Sequence, residues 1–210
     1  MNETPSTAPV VTIGRQFGAG GLAVGRLVAD RLGVPFYDRE LISLAAKESG
    51  LCEAVFERHD EKPAETPFFA PWSVPFHTAA RPLGQQVFFA QFDAIRAAAA
   101  RGGCVIVGRC ADFVLDGRPN VLRVFLRAPL EKRIARVAAR DGVDEAEARK
   151  RLRAAEKNRA AYYAYFTDRT WGAAETYDLC VNTALFASDE AVADLVARAV
   201  RDAFGDAPAS

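Results

Sequence analysis

Histidine and methionine are nearly missing from this chain of 210 residues, which has two histidines, His59 and His77, and one methionine. Two histidines in polar or proline-rich surroundings are too few for a zinc site or a Ser-His-Asp triad. The four cysteines, Cys52, Cys104, Cys110 and Cys180, have no C-x-x-C spacing, so they read as buried small hydrophobes in a reducing compartment. Net charge is absent as well. With 27 basic and 27 acidic residues, no global field draws the protein to nucleic acid or to an anionic membrane, and local basic clusters must carry any anion binding. No apolar run approaches the ~20 residues needed to span a bilayer, and the polar residues 1–8 lack the apolar core of a leader. A cytoplasmic protein is expected.

What is present is organised around residues 10–25. VVTI at 10–13 is an apolar strand, GRQFGAGG at 14–21 is a glycine-rich turn, and Val24, Leu27, Val28 and Leu32 then recur at helical spacing. Strand, glycines and helix in that order can cradle a phosphate. Glycine admits positive φ and close approach, backbone N–H groups curl round an oxyanion, and the helix N-terminus adds its positive dipole end. The turn departs from the phosphate-loop pattern G-x-x-x-x-G-K-[ST]: five residues separate Gly14 from Gly20, Gly21 stands in the lysine position and Leu22 follows. A glycine turn that binds nothing looks the same locally, so the rest of the chain has to decide.

Downstream, Gly33 ends the first helix, Phe36 and Tyr37 make a short strand, and Asp38 and Arg39 fall at its carboxyl end, where ligands sit in open parallel sheets. Asp38 is equally suited to cap a helix over 39–49. Five of the eleven prolines, with Phe68, Phe69, Trp72 and Phe76, fill an irregular insertion at about 60–82, which reads as an acceptor-side loop or an interaction surface. A helix over 83–101 presents Val87, Phe88, Phe92, Ile95 and Ala99 inward and leads to the buried-type strand 104–107, after which come Arg109 and Asp112. A strand at 121–126, a helix at 130–140, a charged helix at about 145–165 opened by the capping pair Asp144 and Glu147, a last strand ending at Asn182 and a closing helix at 190–204 complete the chain. Five short strands alternating with helices predict a three-layer α/β/α sandwich on a five-stranded parallel sheet. The expected organisation is one domain over 9–205, with a helical lid at about 141–172 and flexible ends at 1–8 and 206–210.

The segments GRQFGAGG at 14–21, LGVPFYDRELI at 32–42, VIVGRCADFVL at 105–115 and YDLCVNT at 177–183 together resemble the nucleoside monophosphate kinases, and more closely the cytidylate kinase-like family. The resemblance implies a P-loop kinase fold with a nucleotide-binding insertion and a small arginine-bearing lid. It implies transfer of a phosphoryl group from ATP, with Mg²⁺, to a nucleoside monophosphate, CMP or dCMP favoured, and no nucleic-acid or membrane partner. Carried over by motif, Gly14, Arg15, Gln16, Phe17, Gly18, Ala19, Gly20, Gly21 and Leu22 would hold the donor phosphates. Asp38, Arg39, Arg109 and Asp112 would border the acceptor, and Arg159 would be a lid arginine. Standard members carry a lysine and a hydroxyl residue where this chain has Gly21, Leu22 and Ala23, and acids in the lid where this chain has KNRAAYY at 157–163; the double-glycine loop marks the cytidylate kinase-like sequences. Arg15 or Arg109 is therefore expected to supply the missing charge, and Arg15, Arg109 and Arg159 are the catalytic candidates. The Mg²⁺ ligand stays open, with Asp38 and Asp112 candidates by position, and so does the oligomeric state. A nucleotide-binding sensor with little or no kinase activity is the alternative reading.

Overall fold

β-Branched residues dominate the centre of the sheet, and their alternation feeds two separate cores. The computed structural model describes residues 8–39, 42–43 and 83–205. Its strands are β1 (Val10–Arg15), β2 (Phe36–Tyr37), β3 (Cys104–Val107), β4 (Val121–Arg127) and β5 (Leu179–Asn182), joined in the order β2-β3-β1-β4-β5. Every neighbouring pair is parallel. The helices are α1 (Gly21–Leu32), α2 (Leu83–Arg101), α3 (Ala111–Val114), α4 (Leu130–Asp141), α5 (Glu145–Thr167) and α6 (Asp189–Phe204).

On one face Val11, Ile13, Val105, Val107, Val124 and Leu126 pack against Val24 and Val28 of α1 and Val192, Val196 and Val200 of α6. On the other, Val10, Cys104, Ile106 and Val121 meet Phe88, Phe92 and Ile95 of α2, Ala111 and Val114 of α3, and Tyr163 of α5. Each such side chain contributes roughly 1.5–3 kcal/mol by leaving water. The result is the expected three-layer α/β/α arrangement with all five strands parallel.

The differences from the sequence reading are local and have physical causes. β1 runs two residues beyond 13, because Gly14 and Arg15 continue the register against Phe125 and Leu126 of β4. The short α3 was not foreseen, and Cys180 is exposed on the edge strand while Cys104 and Cys110 are buried. Asp144 accepts from the Glu147 amide at 2.8 Å, as the capping pattern requires. Most of the helix expected at 39–49, the insertion at about 60–82, His59, His77, Cys52, residues 1–7 and residues 206–210 lie outside the described residues.

One buried cation ties the glycine turn to the α4 and α5 pair. Arg133, 6% exposed, donates to the Ala128 carbonyl at 2.9 Å, to the Phe17 carbonyl at 3.3 Å and to Glu156 at 2.6 Å. Three acceptors on three segments satisfy a charge that would otherwise be costly to bury. Arg133→Met keeps much of the apolar volume and deletes all three bonds. The expected loss is about 2–4 kcal/mol of stability, read as a lower urea midpoint at unchanged slope.

Candidate functional site

The turn after β1 is held from below by backbone pairing. The Gln16 amide donates to the Leu126 carbonyl at 2.9 Å, and the Gln16 side-chain oxygen accepts from the Ala128 amide at 3.1 Å. Gly20 caps α1 with φ 84° and ψ 5°, a left-handed conformation open to glycine at little cost. The first turn of α1 carries no acid and no side-chain cap, so its N–H groups and the positive end of the helix dipole face the turn.

Arg15, the last residue of β1, accounts for the second glycine of the pair, Gly21. A Cβ at Gly21 would stand 2.5 Å from its Cγ and 2.8 Å from its Cβ, and a Cβ at Gly108 would run into its guanidinium. The aliphatic stem therefore lies across Gly21 and the charged head rests on Gly108. Around it, Gly108, Arg109 and Cys110 all have positive φ, at 83°, 55° and 54°. A left-handed run through two non-glycine residues is a strained turn of the kind found at working sites. It leads into α3 and leaves Arg109 with its guanidinium over the Tyr162 ring, 5.8 Å from the centroid.

Two cavities open on either side of Arg15. The loop cavity, about 380 Å³, is lined by Gln16, Phe17, Gly18, Gly20, Gly21, Leu22 and Ala23 with Asp38, Arg136 and Arg140. The second, about 260 Å³, lies beyond the ends of β1 and β3 and is lined by Gly14, Gly108, Arg109, Cys110, Asp112, Asn158, Tyr162, Tyr163, Trp171 and Tyr177. Arg15, Arg39 and Arg159 line both. Of the residues singled out from the sequence, Gly14 and Asp38 thus fall on opposite sides: Gly14 in the second cavity, Asp38 in the loop cavity. Ala19 is buried and lines neither.

Charge at the junction is one-sided. Burial, and then the like charges of Arg159 and Arg109, push the Arg15 guanidinium down to about 9. Burial also lowers Arg159, with Glu156 opposing. Arg159 donates to the Arg15 carbonyl at 3.1 Å, and Arg159 and Arg140 both lie over the Phe17 ring, at 5.3 and 5.1 Å. Arg136 pairs with Asp189 beside Gly20. Deeper in the second cavity, Tyr163 donates to Asp112 at 2.5 Å. Tyr177 packs over Gly14, whose Cβ would be 3.1 Å from the Tyr177 hydroxyl. That hydroxyl is buried and near Tyr163, but among the described residues it makes no hydrogen bond of ordinary geometry.

No cluster of three or more His, Cys, Asp or Glu side chains stands together among the described residues. Asp38, joined to Arg26 at 3.4 Å, is the acid that lines the loop cavity. One carboxylate with phosphate oxygens and water is a usual Mg²⁺ environment, so the donor set fits that ion bound together with a polyphosphate. Sequence reading missed Arg136, Arg140, Trp171 and Tyr177. The spacing of Arg136 and Arg140, four apart on α4, was a usable signal for a shared helix face. Nothing local marked the two aromatics, which depend on how the chain returns from α5 to β5.

Burial raises the Asp112 carboxyl above the ordinary aspartate range. A folded value above the unfolded one means the native state holds the proton longer, so this group lowers stability as pH rises through that window. Asp112→Asn retains an acceptor for Tyr163 without the buried charge. Its urea midpoint is expected to exceed the wild type's at pH 7, with the difference narrowing as pH falls toward ~4, the ordinary aspartate value.

Comparison with known proteins bears on the family and the fold. A cytidylate kinase from Methanopyrus kandleri is 38% identical over 105 residues, 45% of this chain and 53% of that protein, so this match spans about half the relative's length. A cytidylate kinase from Pyrococcus horikoshii is 26% identical over 206 residues, covering 97% and 95% of the two chains. Among solved structures, an uncharacterized protein from Eubacterium ventriosum superposes with a TM-score of 0.69 at 25% identity, over 91% of this chain and 98% of that one. A shikimate kinase from Acinetobacter baumannii in complex with shikimate shares the fold alone, with a TM-score of 0.52 at 18% identity over 94% and 95% of the chains. The strand order is that of P-loop kinases. The profile of the cytidylate kinase-like family matches residues 10–185, which hold the loop, both cavities and the arginines between them, and the chain belongs to that family.

Proposed function

We propose that the protein transfers the terminal phosphoryl group of ATP to a nucleoside monophosphate, with CMP or dCMP as the favoured acceptor. The observation that carries this reading is the sharing of Arg15, Arg39 and Arg159 between two adjoining cavities. A phosphoryl group passing from one side to the other would remain within reach of positive charge throughout. Donor phosphates would lie on the turn and the N-terminus of α1, with Arg136 and Arg140 at their flank, and Arg109 would hold the acceptor phosphate.

The chemistry asks little more of the protein. The bond from the γ-phosphorus to its bridging oxygen breaks with the electron pair leaving on ADP, while an acceptor phosphate oxygen forms the new bond. That oxygen is already anionic, so no general base is needed. Catalysis rests on in-line positioning and on stabilising charge spread over the transferring oxygens. Asp38 would hold Mg²⁺, which would supply positive charge against the donor phosphates. Among the described residues no helix is long and apolar enough to cross a membrane, and a cytoplasmic kinase of free nucleotides is the corresponding expectation.

A second reading, a nucleotide-binding sensor, draws on the absence of the loop lysine and hydroxyl at Gly21 and Leu22. ADP release measured with CMP, dCMP, UMP, AMP and GMP separates the two. The kinase reading expects turnover that depends on acceptor and is fastest with CMP or dCMP, whereas nucleotide binding without acceptor-dependent turnover would establish the sensor. In the active protein Arg109→Ala is expected to raise the acceptor KM by about 10- to 100-fold, the worth of a charge-assisted contact.

A further inference from the structure

Between the two cavities, one side chain occupies the space that the loop's missing lysine would need. The Arg15 stem stands 2.5 Å from the position of a Cβ on Gly21, and its guanidinium covers Gly108 at the end of β3. Any side chain at either glycine would displace it. Arg109 lines the second cavity alone, whereas Arg15 lines both; Arg39 and Arg159 do so too, but it is the Arg15 stem that lies against Gly21. Its backbone is fixed as well, by the β1 register against Leu126 and by Arg159 on its carbonyl.

We propose that Arg15 is the catalytic cation of this loop: it replaces a lysine on α1 by an arginine on β1, and Gly21 is what admits its stem. The inference rests on the phosphoryl-transfer reading and deepens it. The guanidinium would bridge the donor's terminal phosphate and the acceptor phosphate, stabilising the charge on the transferring oxygens while the bond to ADP breaks and the bond to the acceptor forms. A planar fork of donors can serve two phosphates at once, which an ammonium at the end of α1 does less well. The charges acting on Arg15 within the protein are two further arginines, so in the free protein it is held at a cost that an anion would remove.

Mutual exclusion between Arg15 and a side chain at 21 gives the test. ATP-dependent phosphorylation of CMP is measured for wild type, Arg15→Ala, Gly21→Lys and the double variant, alongside melting temperature with and without ADP. Arg15→Ala is expected to lower kcat by about 10²–10³-fold and to weaken the stabilisation by ADP. Its melting temperature without nucleotide should stay level or rise, because a cation crowded by like charges is gone; a purely structural arginine would lower it. Gly21→Lys alone should lose activity, since the lysine and Arg15 compete for one space. The double variant should recover at least tenfold over Arg15→Ala, because removing the stem makes room for the lysine. Arg15→Lys, which keeps the charge and the stem, should stand between wild type and alanine.

Wild-type activity that persists in Arg15→Ala, or a Gly21→Lys protein faster than wild type, would overturn the role of Arg15 and leave the kinase reading standing. A wild type without acceptor-dependent turnover on any of the five monophosphates would overturn the kinase reading and this inference with it. Should Arg15→Ala not fold, the comparison of Gly21→Lys with wild type and with Arg15→Lys decides.

Discussion

Repulsion among arginines brought into one half-buried place is the constraint on which the rest of the structure depends. Arg159 and Arg109 act on Arg15 at the junction of the two cavities, and burial removes the water that would screen them. Flexible side chains would spread apart under such a load. Here each is held by something stiffer than itself: Arg15 by two glycine surfaces and a strand register, Arg109 by a left-handed turn, Arg159 by a carbonyl and an aromatic face. A field kept in place before an anion arrives needs little reorganisation when one does, which is the physical basis of electrostatic preorganisation.

Overall neutrality conceals this arrangement. Basic and acidic residues balance at 27 each, but they are not distributed alike. Many acids are spent in surface pairs away from the junction: Asp116 with Arg169 and Arg123, Asp141 with Arg151, Glu131 with Arg149, Asp194 with Arg31. Such exposed pairs add little to stability. They neutralise the periphery, so that positive potential is concentrated where the strands end. Helix α4 divides its arginines by phase in the same way. Arg133 points inward to tie the turn to α5, while Arg136 and Arg140 reach the loop cavity.

The same packing explains why the site and the fold are not separable here. The turn is bonded to β4 through Gln16, to α4 through Arg133 and to α5 through Arg159. A change in the angle of α5 therefore acts on the glycine turn directly, through the Arg15 carbonyl and Glu156. In the other cavity, α5 is tied to α3 through Tyr163 and Asp112. One helix thus touches the walls of both cavities.

The sequence by itself determined the layers and the place of the site. Short apolar runs, helices with their caps, and glycines at the end of the first strand are local properties, and they suffice for a parallel five-stranded sheet with a glycine turn and charged residues at its carboxyl edge. Asp38, Arg39, Arg109, Asp112 and the turn were legible as candidates for that reason, since each lies within a few residues of a recognisable strand's end. The purpose of Gly21 was not legible. It looks like the loss of a lysine until Arg15 is seen lying across it, and the two residues meet only because β1 extends two residues further against β4. Gly14, likewise, is shaped by Phe125 of β4 and by Tyr177 just before β5, both far along the chain. Close approach between non-neighbouring segments leaves no periodic trace in a sequence, because it depends on register and side-chain direction together; only the tertiary structure decided which charge fills the loop.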